Sequence, residues 1–265
     1  MITKQHIAIT TWAMLSKGKS MTEVMKAIPY AVLPDAIRMF VGQRQPSHFE
    51  RHPHQDEVSW MRFTEGENLK KLSKENLTDF VSWYIAENIP AAVIGEESDL
   101  ATFDKLNGDL VHYHEIRTHM VQDIILDTVL REQMINPVDR FEDSFTVRHS
   151  GVVMNGKELR SQVALFEELG FIKLVGLVYE ATGVLLDKEW FDTYVQQALY
   201  DAYPADMAHN TYRFMKISEE VNQRLKAHNF EFTQEEKESV YMAENLEEIL
   251  NVMYETAYEA TFKEF

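Results

Sequence analysis

Gly108-Asp-Leu-Val-His-Tyr-His-Glu-Ile-Arg-Thr-His-Met-Val-Gln-Asp123 packs three histidines, Glu115 and Asp123 into one stretch of helical spacing. At about 100° per residue, with His112 as zero, Glu115 falls near −60°, His119 near −20° and Asp123 near +20°. Four potential metal ligands thus share one narrow stripe. Asp109 flanks it at about +60°, whereas His114 points away at about 200°. Ile116, Leu126 and Leu130 project into the same sector, so the stripe is expected to face the interior. Buried imidazoles and carboxylates need partners, and a divalent cation satisfies several at once while relieving repulsion between acids. A solvated polar face and a metal-free buried hydrogen-bond network are the competing readings.

Two familiar motifs do not fit. His114-Glu115-Ile-Arg-Thr-His119 resembles the zinc-protease HExxH pattern, but its histidines are one residue too far apart to share a helix face. HD-type phosphohydrolases need a consecutive His-Asp pair, and none occurs in the sequence.

Working outward, helical periodicity extends over Thr3 to Lys17, Thr22 to Ala31, Asn76 to Asn88, Gly108 to Gln133, Lys157 to Thr182, Lys188 to Tyr203, Asp206 to His228 and Gln234 to Phe262. Pro29, Pro34, Pro46 and Pro53 mark an irregular early region, and Pro90 and Pro137 close later segments. The β-type residues between Ser144 and Gly156 predict a small hairpin around Ser150-Gly151. The expected fold is all-α, a multi-helix bundle in one domain, 1–265. Residues 1–136 would carry the metal site and 157–265 would form a supporting helical half.

Composition narrows the function. The 265 residues are 45% hydrophobic, enough for a core without staples. There is no cysteine, so any metal must be held by nitrogen and oxygen. The formal net charge of −17 opposes an extended nucleic-acid or anionic-lipid docking surface, but not small phosphate esters handled through a metal. Lys173, Glu180 and Asp187 interrupt or close the most apolar run, so no membrane span is expected. The N-terminal residues lack a secretory signal pattern, which points to the cytoplasm.

Further ligands are expected from outside the helix. His6 shares a face with Ile2, Ile9 and Ala13. Asp35 follows Pro34 and suits either a ligand or the N-cap of a short helix. A long loop from Gly42 to Gly66 carries His48, His52 and His54, one of which is expected to be a ligand. Arg38, Arg117 and Arg148 are candidate phosphate clamps, and His149 and His209 stand isolated.

This order is an N-terminal helical histidine, Leu33-Pro34-Asp35, a loop histidine, then Gly108-x-x-x-His112 followed by His119. It resembles the zinc-dependent phospholipase C superfamily, which includes single-strand-specific nucleases of the same helical fold. The resemblance implies up to three zinc ions in a cleft and metal-bound water acting on phosphate esters. It also implies His6, Asp35, His48, His112 and His119 as ligands. The family's aspartate four residues after the helix histidine is Ile116 here, and Glu115, one position earlier, takes its place as ligand or general base. His119-x-x-x-Asp123 stands for the family's later His-x-x-x-Glu pair. The expected protein is therefore a zinc-type phosphoesterase with metal ligands His6, Asp35, His48, His112, His119 and Asp123. A non-catalytic interaction protein with a closed metal or polar cluster is the alternative.

Overall fold

The structure is a computed structural model and describes residues 1–41, 100, 103–104, 108–136 and 144–265. Among these, α-helices predominate: α1 (Thr3–Ser16), α2 (Met21–Ala31), α3 (Leu33–Val41), α4 (Tyr113–Val129), α5 (Gly156–Thr182), α6 (Lys188–Trp190), α7 (Gln196–Ala202), α8 (Ala205–Phe214), α9 (Glu219–Lys226), α10 (Gln234–Ser239) and α11 (Leu246–Glu264). Short π-helical turns follow α4 at Leu130–Met134 and precede α7 at Phe191–Val195. The expected hairpin is present, with β1 (Ser144–Thr146) antiparallel to β2 (Val153–Asn155) and Phe145 opposite Met154. Gly151 supplies the positive φ, 70°, that its turn requires. The expected helix from Asn76 to Asn88 and the loop from Gly42 to Gly66 lie outside the described residues.

Helix boundaries follow local chemistry. Ser20 accepts from the Glu23 amide and Glu23 reaches back to the Ser20 amide, a capping box that starts α2. Asn155 and Glu158 do the same for α5, as do Thr233 and Glu236 for α10. The periodic stretch from Asp206 to His228 is two helices, because Ser218 caps a new start by accepting from the Val221 amide. Pro29 lies inside α2 and Pro34 in the first turn of α3, so these prolines do not leave the early region irregular. A proline in a first helical turn removes only a donor that has no intrahelical partner.

The chain forms two compact units, and the boundary between their segments falls inside α4. One comprises Met1–Gly18, Val121–Lys188 and Ile217–Lys263; the other comprises Lys19–Met120, Glu189–Lys216 and Glu264–Phe265. In the first unit α1 is buried on every side from Thr3 to Met14 and packs along α5. That burial takes Lys4, Gln5 and His6 out of water as well as Ile7 and Ile9. Lys4 Nζ donates to Glu168 Oε2 at 2.8 Å, and Gln5 Nε2 donates to the Glu167 carbonyl at 2.8 Å and the Tyr254 hydroxyl at 2.7 Å. In the second unit α3 packs against α8, and α7 against α2 and α8. The buried Tyr203 hydroxyl donates to the Pro29 carbonyl there.

Gly170 of α5 lets the first unit close. A Cβ at this position would lie 2.3 Å from the Tyr254 hydroxyl, 3.0 Å from Leu250 Cδ2 and 3.3 Å from Gln5 Nε2. Gly170→Ala gains up to about 1 kcal/mol of helix propensity, but the overpacking is expected to cost roughly 1–3 kcal/mol. Urea denaturation should therefore show a net loss of stability with an unchanged m-value. A variant at least as stable as the wild type would contradict the close approach.

Candidate metal centre

The ligand stripe begins later than its spacing predicts. Gly108 to His112 forms turns, and His112 itself has φ 68°, a left-handed conformation that ends helical continuity before α4. Its ring stacks on Tyr30, with centroids 3.6 Å apart and 6° between planes, and its Nδ1 lies 3.3 Å from Glu115 Oε1. His112 and Glu115 thus interact with each other at the partly exposed start of α4. His114 is exposed and meets Glu264 at 3.2 Å. Arg117 pairs with Asp104 and Glu264, so this candidate phosphate clamp already holds two carboxylates. Arg148 Nε donates to the Ile135 carbonyl at 2.9 Å beside the hairpin.

Nearly two turns into α4 the environment changes. His119 is fully buried, and its Nδ1 lies 2.9 Å from the Ala31 carbonyl. A carbonyl can only accept, so Nδ1 carries a proton, and in the neutral ring this places the lone pair at Nε2. That Nε2 lies 4.0 Å from Asp35 Oδ1 in the first turn of α3. The separation is too long for a hydrogen bond but no longer than two metal–ligand bonds of about 2.0–2.2 Å laid end to end.

His6 is built the same way. It is fully buried on α1, and its Nδ1 lies 2.7 Å from Gln122 Oε1. The Gln122 amide donates from Nε2 to Thr261 Oγ1 at 2.8 Å, which turns its oxygen towards the imidazole. With the amide oxygen as acceptor His6 Nδ1 is the donor, which in the neutral ring places the lone pair at Nε2. Asp123, one residue after Gln122, places Oδ1 3.3 Å from His6 Nε2 and 2.6 Å from the Met1 ammonium.

His6, Asp35 and His119, all buried, each offer one ligand atom, and these atoms lie within 4.8 Å of one another. Two imidazole nitrogens and one carboxylate oxygen are donors of the kind that bind metal ions. This buried group could hold such an ion. Of the other expected ligands, Asp123 lies beside His6, His112 is stacked on Tyr30, and His48 is outside the described residues. His149 meets the Tyr241 carbonyl at 2.9 Å, and His209 is exposed. Gln122, Thr261 and the Ala31 carbonyl were not evident from ligand spacing. A signal for Gln122 existed, since it is an amide three residues after His119 on the buried side of the helix. The carbonyl of an alanine carries no signal in sequence.

Burial raises the Glu115 pKa, but the His112 hydrogen bond, its own backbone N–H and the nearby His112 and His114 charges outweigh this and leave it lowered. A carboxylate depressed in the folded state stabilises the fold above its unfolded pKa, and that contribution disappears as pH falls through the folded value. Glu115→Gln should therefore cost roughly 0.5–1.5 kcal/mol at neutral pH. The gap from wild type should narrow as the solution is acidified below the usual carboxylate range. Parallel denaturation curves with a gap constant across that range would contradict the His112–Glu115 pairing.

Comparison with protein-family models, curated proteins and solved structures finds no match, so the character of this chain rests on its own residues and their geometry.

Proposed function

We propose that this chain is a divalent-metal-dependent phosphoesterase whose ion is held by His6, Asp35 and His119. The observation that carries the reading is the convergence of three buried donors in which both imidazoles are fixed from behind through Nδ1. Tying back the remote ring nitrogen is how metal-binding histidines are usually oriented. Zinc is the ion that best matches a nitrogen-and-oxygen set of this kind without cysteine, and it is the ion implied by the superfamily resemblance. When bound, such an ion lowers the pKa of its water towards about 7 and stabilises charge developing on a phosphoryl group. Asp35 supplies the anionic ligand and the two histidines supply neutral ones. The superfamily resemblance gives Glu115, paired with His112 at the start of α4, the role of general base. The phosphate-ester class follows from the resemblance, and the net charge of −17 favours small esters over extended nucleic acid. No helix among the described residues is long and apolar enough to cross a membrane.

The complete burial of His6 and His119 favours a second reading, a closed ion that stabilises the helical core without catalysis. Elemental analysis and hydrolysis assays separate the two. On the leading reading the protein retains a divalent ion, chelation lowers its melting temperature, and it hydrolyses members of a phosphomonoester and phosphodiester panel. His119→Ala loses metal and activity together, whereas His114→Ala, on an exposed position of the same helix, keeps both. Retained metal with no hydrolysis across the panel would leave the structural ion, and no metal uptake at all would remove both readings.

A further inference from the structure

The group behind His6 is an amide, and it is itself held. Gln122 is fully buried on α4, its oxygen 2.7 Å from His6 Nδ1 of α1 and its nitrogen 2.8 Å from Thr261 Oγ1 of α11. Three helices are joined through one side chain that carries no charge. A neutral imidazole has two tautomers, and only the one protonated on Nδ1 leaves a lone pair on Nε2. An amide oxygen favours that tautomer, less strongly than a carboxylate would, but adds no negative charge near Asp35 and Asp123. Thr261 Oγ1 accepts from Gln122 Nε2 and so holds the far end of the amide while Oε1 faces His6.

We propose that Gln122 is the positioning residue of this metal site, fixing His6 in the Nδ1–H tautomer so that Nε2 serves as a ligand, with Thr261 anchoring the far end of the Gln122 amide. The proposal rests on the metal reading of His6, Asp35 and His119. It assigns to Gln122 no contact with metal or substrate. The uncharged support leaves Asp35 and Asp123 as the nearby anions, so a divalent ion held there would keep more of its positive charge than with a carboxylate in place of Gln122.

The test reads the tautomer and the metal separately, on the full chain. Long-range proton–nitrogen correlation NMR on metal-free wild type should show His6 protonated on Nδ1 and bare on Nε2. Gln122→Met removes the acceptor at similar volume and should give mixed tautomers, whereas Gln122→Glu restores an acceptor and should restore the single tautomer. Zinc affinity, read by competition with a chromophoric chelator, should fall roughly 10–100-fold in Gln122→Met and recover in Gln122→Glu. If Gln122→Met does not fold, Thr261→Val carries the test, since an amide released from Thr261 should also yield mixed His6 tautomers and weaker zinc binding. Wild-type His6 protonated on Nε2 would overturn the Gln122 assignment whatever the metal does. Equal zinc affinities in wild type and the acceptor-free variant would overturn its positioning role. A wild-type chain with the stated tautomer but no zinc uptake would instead sink the metal reading, and the ligand role of Nε2 with it.

Discussion

Burying α1 on all sides is the constraint on which the first unit depends. A helix that is apolar all round can be enclosed cheaply, but α1 brings Lys4, Gln5 and His6 with it. An unpaired amide, ammonium or imidazole inside a protein costs several times what a made hydrogen bond returns. The surrounding elements must therefore supply partners at fixed positions. Glu168 answers Lys4, the Glu167 carbonyl and Tyr254 answer Gln5, and Gln122 answers His6. Three consecutive residues of α1 thus specify where α4, α5 and α11 present polar atoms. Apolar packing alone would tolerate sliding between these helices, whereas paired polar groups favour one register.

The same chemistry fixes the two buried imidazoles of the candidate centre. His6 and His119 sit in regular helices, and each meets an acceptor through Nδ1, the Gln122 amide oxygen for one and the Ala31 carbonyl for the other. His112 makes a useful contrast. Lying just outside α4 with a left-handed backbone, it turns its ring flat against Tyr30 and towards Glu115 rather than along the stripe that a continuous helix would give. The two ends of Gly108–Asp123 thus differ in chemistry: a partly exposed acid–imidazole pair at one end, buried ligand-type groups at the other.

Much of the architecture was legible from the sequence. The hairpin was marked by β-type residues around Ser150-Gly151, and α1, α2 and α5 emerged within about a turn of their expected ends because apolar periodicity and capping residues agree there. Periodicity failed where it ran through a cap: Ser218 and the stretch before Leu246 interrupt apparently continuous helices while the apolar pattern carries on. It also overran the start of α4, because five residues at helical spacing do not reveal that His112 adopts a positive φ. At the site, His6, Asp35 and His119 were each recognisable as candidates. Their company was not, since His6 and His119 are 113 positions apart in sequence and spacing carries no information over that distance. Gln122 was overlooked because ligand chemistry draws attention to acids and imidazoles, while the group that orients an imidazole can be any acceptor.

The missing methyl group at Gly170 reaches further than its own helix. The Tyr254 hydroxyl occupies the space a side chain would take, and from there it holds Gln5, the residue immediately before His6. The bearing of a candidate ligand on α1 is thus partly dictated by an atom that α5 does not possess. Sequence drift at a residue with no chemistry of its own can in this way retune a polar centre, and tracing such drift means looking for vacancies in side-chain volume rather than for changes in functional groups.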